Sequence, residues 1–182
     1  MSSNNVSNRP QNSRLAAAIC AAFLAFLLTG CASYKLGPTN GMAAGERTIR
    51  VMGFVNTTME PRLSDEVTQQ MRKELQRDGT FKLASTDDAD IVVSGVITRY
   101  VRHEMSFAPN DILTVRDFRL VMTAHITARD RISGQVLLDQ PVSGNTLVRV
   151  GSDLTSAERQ ALPLLAADLA RNATELLVDG TW

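Results

Sequence analysis

Between residues 115 and 130 apolar and polar side chains alternate almost without a break. Phe118, Leu120, Met122, Ala124, Ile126 and Ala128 fall on one side of an extended chain, and Asp117, Arg119, Thr123, His125, Thr127 and Arg129 on the other. A period of two marks a strand with one covered face. Ile91–Met105 repeats the pattern with Ile91, Val93, Ile97, Val101 and Met105 as covered positions, and Gln135–Val150 with Val136, Leu138, Val142 and Val148. Ser133-Gly134 supplies the hairpin turn from the 115–130 strand into Gln135–Val150. Upstream, the β-branched stretch Thr48–Asn56 and the short Phe81–Ala84 also read as strands.

Two segments switch to the helical period. Glu60-Pro61 opens the first helix, whose buried stripe is Leu63, Val67, Met71 and Leu75. Asp65 and Glu66 lie in its favourable first turn, and Gly79 stops it. The second has Thr155 as N-cap with Glu158 reaching back, a buried stripe of Leu162, Leu165, Leu169, Ala173 and Leu176, and Gly180 at its end. Pro163 lies too deep for a first-turn proline and predicts a kink or a split. The order β-α-β-β-β-β-α predicts an α+β fold. It is a two-layer sandwich in which two helices cover one face of a mixed, mainly antiparallel sheet of four to five strands.

The N-terminus follows neither period. Met1–Arg14 is polar, Leu15–Leu28 is an uncharged apolar run, and Leu28-Thr29-Gly30-Cys31 follows directly. The run is short of the roughly 20 residues a membrane span requires and fits the apolar core of a secretory signal. A short membrane anchor with a chance cysteine is the competing reading. The L-T-G-C tetrad resembles the lipobox of bacterial lipoproteins. That resemblance implies cleavage after Gly30 and a diacylglyceryl and an N-acyl chain on Cys31, with Ala32 directing the product to the outer membrane. Residues 1–30 are then a removed signal, 31–47 a lipidated N-terminus with a short tether, and 48–182 the folded domain. With Cys20 lost and Cys31 acylated, no thiol remains for a disulfide, a thiolate metal site or a nucleophile.

Charge narrows the function. The chain has 19 basic and 19 acidic side chains, and Arg9 and Arg14 leave with the leader, so the domain carries a slight acidic excess. That argues against a nucleic-acid partner. Neither His103 nor His125 stands in a ligand spacing, no nucleophile or phosphate-loop motif is present, and Thr86–Asp90 is too short for a calcium loop and reads as a solvated turn. No catalytic residue, metal ligand or dissociable cofactor is nominated, and the chain reads as a non-enzyme. The uncovered sheet face joins Arg102, Arg119, Arg129 and Arg149 to Thr98, His125, Val92, Val96, Tyr100, Val121, Leu137 and Leu147. This pattern suits a phosphorylated amphiphile, because guanidinium forks pair with phosphate. It also suits a protein wall, and equally a solvated sheet face with scattered valines.

Five stretches carry a further resemblance: CASYKLGP, TIRVMGFVNTTMEPRLSDEVTQQMRKELQRDGTFKLAS, ADIVVSGVITRY, DRISGQVLLDQPVSGNT and the closing VGSDLTSAERQALPLLAADLARNATELLVDGTW. In their order and spacing they resemble the LptE family of lipopolysaccharide-assembly lipoproteins over nearly all of Cys31–Trp182. The resemblance implies a lipid-anchored domain on the periplasmic side of the outer membrane. Such a domain plugs and supports an LptD-type β-barrel and contacts lipopolysaccharide. No binding motif of the family maps onto these residues, and Arg102, Arg119 and Arg149 are nominated from the sheet face alone. An activator or scaffold docking on a periplasmic cell-envelope enzyme or a secretion pore is the alternative. The short tether Ser33–Glu46 argues against an activator that must cross the periplasm.

Overall fold

A computed structural model describes residues 44–108, 111–150 and 153–180, without the side chains of 108 and 111–114. The signal, Gly30, Cys31 and all but the end of the tether lie outside the described residues. Six strands and two long helices follow in the order β1 (Thr48–Val51), β2 (Val55–Asn56), α1 (Leu63–Asp78), β3 (Lys82–Leu83), β4 (Ile91–Ala108), β5 (Asp111–Asp130), β6 (Val136–Arg149) and α2 (Leu154–Val178). The sheet order is β3-β1-β4-β5-β6, with β2 also on β4. β1 runs parallel to β3 and β4, whereas β4, β5 and β6 are antiparallel. Both helices lie against the apolar face, which makes the expected two-layer sandwich.

The core is the set of periodic positions brought together. Leu63, Val67, Met71 and Leu75 of α1 meet Ile91, Val93 and Ile97 of β4, Leu120 to Ala128 of β5, and Leu165, Leu169 and Ala173 of α2. Small residues set the spacing. Gly144 of β6 lies so close under α2 that a Cβ there would stand 2.5 Å from the Leu169 backbone nitrogen.

The departures from expectation share a cause: inserted residues that reverse which side a strand shows. The stretch Thr48–Asn56 is interrupted rather than continuous. Val51 pairs with Val93 and Val55 with Val96, so four steps on one strand match three on β4. The slack turns Phe54 into the core over Gly95, where a Cβ would meet the ring at 2.3 Å. A second shift lies between Ile97 and Arg99. Beyond it Tyr100 pairs with Met122 and Arg102 with Leu120, both core residues, so Tyr100 and Arg102 face the helices, while Val101 and Met105 do not continue the buried stripe. A third shift pairs Ala128 with Leu138 but Arg129 with Val136. Val136 is therefore exposed, and Leu137 packs against the core instead. Such bulges re-aim side chains, and periodicity alone does not show them.

The helix ends also differ. Pro61 lies in a turn ahead of α1, whose N-cap is Arg62 in the left-handed region at φ 70° with no side-chain cap bond. Gly79 closes α1 as expected, donating its N–H to the Leu75 carbonyl at 3.2 Å. In α2 the cap is Asp153 rather than Thr155. Its carboxylate accepts the N–H groups of Thr155 and Ser156, each at 3.0 Å. Glu158 is drawn away to accept from Tyr100 at 3.2 Å and from Arg102. α2 is not split at Pro163, and its stripe drifts by one residue near the end, leaving Leu176 42% exposed and Leu177 1%.

Candidate functional site

The open face of the sheet is best built row by row from its register. One row holds His103, Arg119 and Leu147, and the next Ser106, Asp117 and Arg149. Arg119 and Arg149 are diagonal neighbours on adjacent strands, a separation that long side chains can span. Together with Met105, Ser106, Asp117, Leu147 and Val148 they line a concavity of about 360 Å³. Met105 is 48% exposed and Leu147 63%. Phe107, further along β4, is exposed as well.

The charges at this end are ordered. Arg149 Nε donates to Asp117 Oδ1 at 3.0 Å, and the Ser106 hydroxyl donates to Asp117 Oδ2. The Ser106 hydroxyl first, and then Arg149, hold Asp117 below the usual carboxylate range. Arg149 is oriented by one nitrogen and mostly exposed, so the rest of its fork is available. Arg119 has no acid partner among the described residues. The site can thus hold an anionic, amphiphilic group: two guanidinium groups for the oxyanion, and Met105 and Leu147 for an apolar face.

Of the three nominated arginines, Arg119 and Arg149 are brought together and Arg102 is not. The shift after Ile97 puts Arg102 on the helix side, where it binds Glu158 and lies 5.8 Å from the Tyr100 ring centroid. Burial first, then the charge and hydrogen bond of Glu158, raise the Tyr100 phenol well above its usual value. His103 occupies the position beside Arg119 that Arg102 was expected to fill. His125 lies on the open face as expected. It contacts Asp139 at 2.8 Å, and Asp139 also accepts from Thr127 at 3.0 Å. His125 and then Thr127 hold Asp139 below its ordinary range.

A family model described as Lipopolysaccharide-assembly, LptE, matches residues 46–178. The chain belongs to the LptE family. No curated protein matches this LptE-family chain. Among solved structures it is similar to protein XCC0632 from Xanthomonas campestris, with TM-score 0.57 and 8% identity over 79% of this chain and 90% of that one. It is also similar to CT253 from Chlamydia trachomatis, with TM-score 0.52 and 13% identity over 75% and 98%. PelC from Paraburkholderia phytofirmans, a dodecamer, gives TM-score 0.50 and 16% identity over 79% and 96%. At these identities the likeness concerns the fold.

Sequence reading missed Met105 as part of the LptE-family chain's open face, having assigned it to the core. A signal was available: Val101 and Met105 continue the stripe only by passing over Arg99 and His103, and a polar Thr98 stands where the parity changes.

Proposed function

We propose that this LptE-family chain is a lipid-anchored, non-catalytic subunit of the lipopolysaccharide-assembly machinery at the outer membrane, exposed on the periplasmic side. It supports and plugs an LptD-type barrel, and it touches lipopolysaccharide through Arg119 and Arg149. The lipid is the diacylglyceryl and N-acyl modification of Cys31, with cleavage after Gly30. The observation that carries the ligand assignment is the pairing of two guanidinium groups with exposed Met105 and Leu147 in one concavity. A phosphorylated glycolipid offers the complementary chemistry, anionic oxygens beside apolar chains.

Purification of the native protein from solubilised membranes tests the partner. The expected result is co-recovery of a large β-barrel protein, and recovery of a cell-wall synthase instead refutes it. The site is tested by replacing Arg119 and Arg149 together with Ser in the full-length protein. Lipopolysaccharide binding should weaken about tenfold or more, as expected for two charge-assisted contacts of about 1 kcal/mol each, with an unchanged circular dichroism spectrum. Equal affinity rejects this end of the sheet as the ligand site.

A further inference from the structure

The concavity that holds Arg119 and Arg149 also holds an acid, Asp117. The strand that carries Arg149 is firmly seated. α2 latches the β6 edge just before it: Asp168 accepts the backbone N–H of Asn145 at 2.8 Å, and the Asn172 amide donates to the Ser143 carbonyl at 2.8 Å. Asp117 is the middle of a rung that runs Ser106, Asp117, Arg149 across β4, β5 and β6. That rung depends on a bulge. Glu104 pairs with Phe118 and Ser106 with Asp117, so Met105 is an extra residue on β4 and Ser106 is re-aimed onto the open face. Both carboxylate oxygens are then engaged. Oδ2 accepts from the Ser106 hydroxyl, and Oδ1 accepts from Arg149 Nε at 3.0 Å. Held from two strands, the carboxylate in turn fixes the plane of the arginine.

A carboxylate in an anion site opposes binding by charge. The lining residues bring two guanidinium groups and one carboxylate, a small net positive charge that salt largely screens. Selection must then come from hydrogen-bond geometry. A guanidinium grips an oxyanion either with Nε and one Nη or with the two Nη groups at its tip. Asp117 occupies Nε, so Arg149 offers its exposed tip, which has no partner among the described residues. A two-pronged contact at the tip uses two oxygens of the ligand. Arg119, on the adjacent strand and without an acid partner, requires a further one. A phosphate monoester carries three oxygens free of carbon, and a phosphodiester only two.

We propose that Asp117 is a positioning residue that makes this concavity select phosphate monoesters over phosphodiesters. The inference rests on the lipopolysaccharide reading of the site and names its ligand class: a glycolipid bearing a terminal phosphate. On that reading the domain works beside a bilayer whose phospholipids carry phosphodiesters. Apolar contact with Met105 and Leu147 does not separate the two classes, because both carry acyl chains. The number of free oxygens does. The same carboxylate that lowers the attraction for every anion thereby raises the discrimination between them.

The test uses the full-length protein in non-ionic detergent micelles, with the Nε–H signals of Arg119 and Arg149 followed by NMR. The probes are hexyl phosphate, hexyl sulfate and methyl hexyl phosphate. The sulfate and the diester carry the same single charge but three and two free oxygens, so their affinity ratio reports oxygen count. Hexyl phosphate and hexyl sulfate should move both arginine signals and bind about tenfold or more tightly than the diester, the value of one charge-assisted contact. Asp117→Ala frees Nε, so diester affinity should rise and the sulfate-to-diester ratio should fall toward unity. Asp117→Asn keeps an oxygen for Arg149 and an N–H for Ser106, and it should hold the ratio near that of wild type. A merely structural role would change all three affinities together and leave the ratio alone. Equal affinity for sulfate and diester, with both arginines responding, overturns the proposal and leaves the lipopolysaccharide site standing. A ratio unchanged in Asp117→Ala, or lost as fully in Asp117→Asn, overturns it as well. Silence of both arginines toward hexyl phosphate and lipopolysaccharide alike removes the site and the proposal with it.

Discussion

Gly144→Ala tests the packing of α2 on β6 most directly. The new Cβ would stand 2.5 Å from the Leu169 nitrogen, 2.7 Å from the Leu169 Cβ and 2.8 Å from the Leu165 carbonyl oxygen. Two of these three are backbone atoms, so no rotamer change relieves the contact. Carbon contacts become favourable at about 3.5 Å, and α2 must retreat by roughly 1 Å. That retreat carries Asp168 and Asn172 from 2.8 Å to beyond hydrogen-bond range of β6. Overpacking typically costs 1–3 kcal/mol, and two exposed hydrogen bonds add about 1 kcal/mol. The expected loss is about 3 kcal/mol. With a urea slope of about 2 kcal/mol per molar, the unfolding midpoint of the full-length protein should fall by about 1.5 M. Gly95→Ala is the comparison, because the obstacle there is the Phe54 ring, a side chain that can turn aside at smaller cost. A Gly144→Ala midpoint within about 0.3 M of wild type, or a shift no larger than that of Gly95→Ala, would refute the account of α2 as a helix seated directly on backbone.

Two further predictions concern titration. Asp153 is held below the ordinary carboxylate range, first by the Ser156 side chain and then by the Ser156 and Thr155 N–H groups. Its contribution is therefore present above the unfolded value near 3.9 and lost as pH falls through the lower folded value. Asp153→Asn keeps a capping oxygen without the proton equilibrium, so thermal stability at neutral pH should change little while the decline below about pH 4 becomes shallower. Identical acid limbs would contradict this. Glu158→Gln removes the charge that raises the Tyr100 phenol but not the burial that is the larger cause. Ultraviolet titration, with Tyr34 common to both proteins, should show Tyr100 ionising at lower pH than in wild type yet still above an ordinary phenol near 10. An unmoved titration would remove Glu158 from the account.

Most of the architecture was legible in hydrophobic periodicity. The stripes of α1 and of β5 between Phe118 and Ala128 could be read without error because neither stretch contains an insertion and each shows a single covered face. What escaped were the register shifts. A bulged residue changes no composition and adds no distinctive motif, yet it reverses the facing of every residue after it. This is why Arg102 was nominated beside Arg119 and is found against Glu158, and why Met105 left the core. The α2 cap was misassigned for a different reason. Asp153 and Thr155 are both good N-caps, and the choice depends on Glu158, whose preference for Tyr100 and Arg102 is visible only once β4 lies beside the helix. The lipid anchor expected at Cys31 was read from residues outside those the structure describes.

The latch of α2 on β6 has a consequence in time. Asp168 and Asn172 follow Ser143 and Asn145 in the chain by more than twenty residues, so during synthesis or export β6 is present before the groups that close its edge. Until then the most apolar face of the hairpins has half a roof, and a raw border of amides is open to any nearby strand. The nascent chain is therefore most prone to aggregate just before its last helix arrives. A chain shortened before Asp168 would keep every strand and still be left permanently in that unguarded state, a burden for chaperones rather than a smaller working domain.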